Sequence, residues 1–240
     1  MTSSLVKKTI LGIDISDTTL REVSEYVIKS VKNSKQKLFI ATPNPEMVVY
    51  CSSHPSTKKL INEADIALCD GVGLQLAADI LETPLKERIT GVDLLQELCR
   101  QASDQAVSIG FLGGKGLVAE RTAECLREKY PQLDVRFTGG DWDVATFPKS
   151  GLDILFVAYG FPKQEEWIAK NLPILPIKAA MGVGGAFDYL SGNVRRAPFF
   201  LRAIGLEWLF RLIRQPWRIK RQLRLITFVW LVIRYRLGVK

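Results

Sequence analysis

Six short runs rich in Val, Ile and Phe, at residues 37–41, 65–69, 106–112, 133–137, 152–158 and 177–181, alternate with amphipathic stretches of helical length. Apolar runs this short, bounded by turn residues, read as strands buried on both faces. The stretches between them, at 19–31, 91–102, 116–129 and 163–170, read as helices, the first opened by a Thr19-x-x-Glu22 capping box. Strand alternating with helix predicts an α/β fold, a Rossmann-like and mainly parallel sheet with helices on both faces. In such sheets ligands bind beyond the carboxyl ends of the strands, so chemistry is sought in the loops that follow them.

Other classes are narrowed by composition. The 240 residues, 47% hydrophobic, suffice for one substantial core plus an appendage. The chain opens on polar residues, and its first apolar stretch, 9–13, is strand-sized, so nothing predicts a signal for export. Cys51, Cys69, Cys99 and Cys125 form no CxxC pair and read as reduced structural thiols. His54 is the sole histidine, in a Ser-Ser-His-Pro turn that suits a surface residue, so histidine metal sites are excluded and carboxylates must supply any general base.

The net charge of +8 is unevenly spread: residues 195–240 hold twelve Lys/Arg against one acid, Glu207, while residues 1–194 are slightly acidic. The body, 1–194, reads as the α/β domain and 195–240 as a basic helical appendage with an anionic partner. The appendage reads as two helices broken near Pro216; if the helical phase survives the proline, Arg211, Arg214, Arg218 and Arg221 share a stripe. Its apolar run, 225–233, is far short of the roughly 20 residues that span a bilayer, so with interleaved Trp and Leu it reads as an interfacial, membrane-docking helix.

Several loops carry two open readings. Thr42-Pro43-Asn44-Pro45-Glu46 presents hydroxyl and amide groups at a strand end, and equally makes Asn44 an N-cap with Pro45 at the first helical position. Asp70, before Gly71-Val72-Gly73, is placed as a general base or as a helix cap. Arg88 is a phosphate ligand or a solvated loop charge. Gly113-Gly114-Lys115-Gly116 suits phosphate at a helix N-terminus, and also an incomplete dinucleotide fingerprint. Asp141-Trp142-Asp143 is a metal-type Asp-x-Asp or a solvated turn. Arg195 and Arg196, with the tail arginines, supply the cations that a metal-free transfer from a sugar diphosphate needs.

Taken in order, Thr-Pro-Asn-Pro-Glu-Met-Val from Thr42, Asp-Gly-Val-Gly from Asp70, Arg88-x-x-Gly-x-Asp-Leu, Phe-Leu-Gly-Gly from Phe111, Gly-x-Pro-Lys-Gln-Glu-x-Trp from Gly160, Gly-Val-Gly-Gly-x-Phe-Asp from Gly182, Arg-Arg-Ala-Pro from Arg195 and Gly-Leu-Glu-Trp-Leu-x-Arg-Leu from Gly205 resemble the WecG/TagA/CpsF glycosyltransferases across nearly the whole chain. The resemblance implies an inverting enzyme that moves N-acetylmannosamine or a related sugar from a UDP donor to undecaprenyl-diphosphate-linked N-acetylglucosamine, in teichoic acid or other surface polysaccharide assembly. It implies no cofactor, no metal, no nucleic-acid partner, a place at the inner face of the bacterial membrane, and self-association. On matching positions it implies Asp70 as the base with Thr42 and Asn44 beside it, Arg88 and Gln164 in substrate binding, and Arg211, Arg218 and Arg221 closing over the site upon docking. In the single displacement expected here, Arg195 and the other tail arginines neutralise the departing diphosphate, and the loops at Gly113, Gly114, Gly184 and Gly185 cradle nucleotide groups. Gln215-Pro216 departs from the family's Glu-Pro. Two rival readings are a nucleotide-dependent oxidoreductase and a non-catalytic membrane- or nucleic-acid-binding module.

Overall fold

The computed structural model describes residues 5–141, 147, 151–216 and 219–238, the side chains of 220–222 excepted. The chain opens with an antiparallel hairpin, β1 (Lys7–Ile10) and β2 (Ile13–Ser16), where the sequence suggests one strand over 9–13. Leu11 and Gly12 both take positive φ (50° and 80°), the backbone of a tight hairpin turn. Leucine is an unusual residue there, so the turn carries no Asn-Gly signal. After α1 (Leu20–Asn33), with its Thr19–Glu22 capping box formed, come β3 (Leu38–Ala41), α2 (Pro45–Ser53), α3 (Pro55–Asn62), β4 (Ile66–Ala67), α4 (Val72–Ile80) and α5 (Gly91–Gln105). Then follow β5 (Ile109–Gly113), α6 (Val118–Lys129), β6 (Val135–Gly139), β7 (Leu152–Ala158), α7 (Lys163–Asn171), β8 (Ile177–Gly182) and α8 (Ala186–Leu190). The C-terminal segment is helical: α9 (Phe199–Ala203), α10 (Glu207–Arg214) and α11 (Ile219–Arg236).

Strands β3 to β8 form one parallel sheet in the order β4-β3-β8-β7-β5-β6, as the alternation of strands and helices predicts. Side chains alternate across the pleat and divide the core in two. Ile154 and Phe156 point to the layer of α1, α5, α6 and α8, and Leu155 and Val157 to the layer of α2, α3, α4, α7 and the hairpin. From β3 the chain leaves toward one edge, to β4, and it comes back to β8, on the other side of β3, from the opposite edge. Such a reversal opens a crevice above the carboxyl ends of the strands.

The C-terminal segment does not stand apart from this core. Phe228 and Val232 of α11, 3% and 4% exposed, belong to the same apolar cluster as Met47 and Val48 of α2 and Leu74 and Ala77 of α4. Opposite them, Ile219, Leu223, Ile226, Trp230, Ile233 and Leu237 recur at intervals of three and four, and all are exposed. So α11 has two apolar faces, one spent on the core and one on the outside.

Phe228→Ala removes the main inward anchor. The expected loss of ~3–5 kcal/mol for a buried aromatic falls on the docking of α11. Amide exchange should accelerate across 219–236 and stay slow in β7 and β8; equal acceleration everywhere would show that α11 has no separate anchorage.

Candidate active site

Loops after β3, β4, β7 and β8 converge on a cavity of about 970 Å³ above the sheet. Asp70 lies at its base, just beyond β4. Its N–H donates to the Pro43 carbonyl (2.9 Å), joining two of these loops, and Gly71 turns the chain away with φ 106°. One carboxylate oxygen, Oδ2, accepts a long hydrogen bond from the Gly91 N–H (3.4 Å), at the start of α5. The side chain is enclosed by protein and opens only to the cavity. Burial pushes its pKa up to about 6; the carboxylates of Glu207 and Asp93 push the same way, against the Gly91 N–H and Arg88. A carboxylate held there keeps an affinity for protons that fits a general base near neutral pH.

Thr42 and Asn44 line the same cavity. The Thr42 hydroxyl is buried and donates to the Gly182 carbonyl (3.2 Å), binding the β3 loop to the end of β8. Asn44 caps α2: its Oδ1 accepts from the Met47 N–H (3.1 Å), with Pro45 at the first helical position. Capping and facing the cavity therefore coincide in one residue. Gln164, 3% exposed, brackets two loops, for its Oε1 accepts from the N–H groups of Gly160 (3.1 Å) and Gly184 (2.9 Å). Its amide Nε2 donates to Oε1 of Glu165 (2.8 Å), a fully buried carboxyl that burial pushes up to about 7. Gly184 and Gly185 face the cavity as expected.

Cations also line the cavity. The Arg211 guanidinium lies 4.8 Å from the Tyr189 ring centroid, and so close to Gly185 that a Cβ there would stand 2.7 Å from its Nη2. Its Nε is buried without a hydrogen-bond partner among the described residues. Arg88 donates to the Arg202 carbonyl (3.0 Å), and Arg224 of α11 also lines the cavity. The cavity also has an apolar lining, from Leu76 and Ile80 of α4 with Phe228, Val229 and Val232 of α11.

Some expected residues are elsewhere. Arg195 is exposed and outside the cavity; its neighbour Arg196 points in, because consecutive side chains diverge in an extended segment. Gly113 and Gly114 do not line the cavity, since β5 lies on the far side of β7. A Cβ on Gly113 would stand 2.8 Å from the Ala158 carbonyl carbon, so this glycine serves the close approach of β5 to β7. Arg218 and the Arg221 side chain lie outside the described residues, as does Asp143, while Asp141 is exposed. Among the described residues no three His, Cys, Asp or Glu side chains are grouped to hold a metal ion. His54 is exposed and stacked on Tyr50. Cys51, Cys69 and Cys99 are buried free thiols, and Cys125 is exposed.

Sequence reasoning missed the polar cluster of Thr90, Asp93 and Glu207 around Arg196, and the apolar lining. Thr90-x-x-Asp93 was legible as an N-cap pattern; that it faces Glu207 was not.

Comparison with known proteins bears on the family. The model of the glycosyl transferase WecG/TagA/CpsF family matches residues 8–240. The chain is 33% identical, over 99% of its length and 96% of the relative's, to the N-acetylglucosaminyldiphosphoundecaprenol N-acetyl-beta-D-mannosaminyltransferase of Staphylococcus aureus (strain MRSA252). It is 32% identical, with the same coverage, to the protein of that name from strain MW2. With the cavity, the ordered loops and a family match over nearly every residue, the chain belongs to the WecG/TagA/CpsF family of glycosyl transferases.

Proposed function

We propose that this enzyme moves an N-acetylmannosamine-type sugar from a UDP donor to undecaprenyl-diphosphate-linked N-acetylglucosamine, with inversion, in surface polysaccharide or teichoic acid assembly. The carrying observation is the Asp70 carboxylate, held in a cavity lined by both cationic and apolar side chains. The names of the S. aureus relatives supply the acceptor and the transferred sugar. Asp70 takes the proton of the acceptor hydroxyl as its oxygen bonds to the anomeric carbon. The bond from that carbon to the UDP oxygen breaks on the opposite face, and the electron pair leaves with UDP. Arg211, with its buried Nε short of a partner, and Arg88 and Arg224 meet the charge that builds on the diphosphate, so the scheme needs no metal ion. Thr42 and Asn44 position loops around Asp70, and Gly184 and Gly185 let the nucleotide approach the backbone.

The appendage, 195–240, is in this reading the membrane-docking unit of a peripheral protein at the inner face of the membrane. No helix among the described residues is long and apolar enough to cross a bilayer. The outward stripe of α11, with Ile226 68% and Trp230 54% exposed, is flanked by Arg234, whose guanidinium lies 5.1 Å from the Trp230 ring centroid. An interfacial helix binds by burying such side chains, and each basic residue near an anionic surface adds about 1 kcal/mol.

The direct test is UDP release from UDP-N-acetylmannosamine with a polyprenyl-diphosphate-N-acetylglucosamine analogue, in detergent and EDTA, against an acceptor-free control. Acceptor-dependent release is expected; none with any UDP-sugar would overturn the reading. Asp70→Asn should lower kcat by roughly 10²–10⁴-fold, the worth of a general base. The same variant should be more stable. A folded-state pKa of about 6 against an ordinary 3.8 means that ionising Asp70 costs the fold roughly 3 kcal/mol, felt from about pH 4 and complete above about pH 6. Thermal melts at pH 7.5 should therefore rise in the variant, and the gap should close toward pH 4. In the unmodified enzyme, kcat/KM should rise with pH through about 6 as Asp70 loses its proton; a flat profile from pH 5 to 8 would remove Asp70 as the base. Replacing Ile226 and Trp230 by Ser should weaken flotation with phosphatidylglycerol vesicles while leaving turnover of a detergent-soluble acceptor intact, and unchanged flotation would remove the stripe from membrane docking.

A further inference from the structure

Arg196 sits where the α/β body meets the helical appendage, its side chain only 16% exposed, and uses three faces of its guanidinium. Nη1 reaches Oδ1 of Asp93 (2.7 Å), Nη2 donates to the Thr90 hydroxyl (3.2 Å), and Nε reaches Oε1 of Glu207 on α10 (3.2 Å). Thr90 and Asp93 form the start of α5. The Thr90 oxygen accepts from the Asp93 N–H (3.2 Å), and its hydroxyl donates to Oδ2 of Asp93 (2.6 Å). Between them is Gly91, whose N–H contacts the Asp70 carboxylate. A second strap runs in parallel, with Arg202 3.8 Å from Asp93 and the Arg202 carbonyl accepting from Arg88. The chain then passes so close to α4 that a Cβ on Gly205 would stand 2.7 Å from Val72.

Such an arrangement spends Arg196 on protein groups. Its charge and that of Arg202 balance the carboxylates of Asp93 and Glu207, leaving Arg88, Arg211 and Arg224 as the cavity's other cations among the described residues. Burial works to raise the Asp93 pKa, and Arg196 and Thr90 overrule it, holding that carboxyl below its ordinary value. Glu207 from α10, Asp93 from α5 and Arg88 from the loop before α5 are the charged groups acting on Asp70; the adjacent Cys69 thiol, pushed up to about 12 by burial, stays neutral.

We propose that Arg196 is a positioning residue, which latches the C-terminal segment to the start of α5 and so sets both the place and the charge surroundings of Asp70 without touching substrate. The proposal rests on Asp70 being the base. Removing Arg196 leaves Glu207 without its ion-pair partner and Asp93 with only the more distant Arg202, and both carboxylates act on Asp70, so its proton is held more tightly. It also frees α10, and with it the Arg211 guanidinium, from a fixed place over the cavity.

The test uses the full chain with Arg196→Gln, Arg196→Lys and Asp93→Asn, following UDP release over pH together with amide exchange at 199–214. Arg196→Gln should lower kcat by about 10²-fold, the scale of a small misplacement of reacting groups, with little change in the KM for UDP-sugar. Its acid limb should move to higher pH, and exchange at 199–214 should accelerate. Arg196→Lys, keeping the charge and losing the fork, should lower kcat with the limb in place. Asp93→Asn cuts the same latch while removing a negative charge, so exchange should accelerate while the limb moves to lower pH. Those opposite shifts would not follow from a general loosening, and Asp93→Asn keeps the test open if Arg196→Gln fails to fold. Unchanged kcat and limb overturn the proposal, as does a raised donor KM with an unmoved limb, which would make Arg196 a substrate contact. Accelerated exchange with an unmoved limb overturns the link to Asp70, and an active Asp70→Asn would show that the base assignment had failed instead.

Discussion

A parallel sheet cannot be closed by tight hairpins, and that constraint orders everything else in this molecule. Each strand must be followed by a crossover, so the loops after β3, β4, β7 and β8 all emerge at one end, above a core sealed on both faces. Polar and glycine-rich segments, which a buried sheet cannot hold, collect there. Because the chain leaves β3 for one edge and returns to β8 from the other, the loops part above the middle of the sheet, and the cavity occupies the gap.

Within that gap the chain tolerates groups it could have stabilised better. Among the described residues, Asp70 has one long hydrogen bond from Gly91 and no facing cation as close as the one Asp93 has in Arg196. Nε of Arg211 is desolvated without a partner among the described residues. An unsatisfied buried donor typically costs ~1–3 kcal/mol. Strain of this kind persists where a bound ligand relieves it. By contrast the polar groups just outside, Thr90, Asp93, Arg196 and Glu207, satisfy one another.

The C-terminal segment reaches from these groups to the outside. Its α10 brings Glu207 and Arg211 over the cavity, and α11 adds Phe228 and Val232 to the apolar lining while turning a second apolar stripe outward. The helix that carries the exposed stripe is thus also part of the core and of the cavity lining.

Much of this was legible locally. The six strand runs, the Thr19–Glu22 capping box, the Asn44-Pro45 helix start and the strand-end placement of Asp70 follow from short-range sterics and hydrogen bonding, and the structure has each of them. Leu11-Gly12 escaped because its positive φ values are imposed by the hairpin around it and not favoured by leucine. Which loops meet was a different kind of question. Gly113-Gly114 has the chemistry of a phosphate loop, yet strand order places it beyond β7; Arg195 and Arg196 are identical in type, and the packing of one extended segment decides which turns inward. Element type is written in neighbouring residues. Strand order, the pairing of Arg196 with groups 103 and 11 residues away, and the raised proton affinity of Asp70 arise only when distant segments exclude water from one another, and tertiary structure alone decided them.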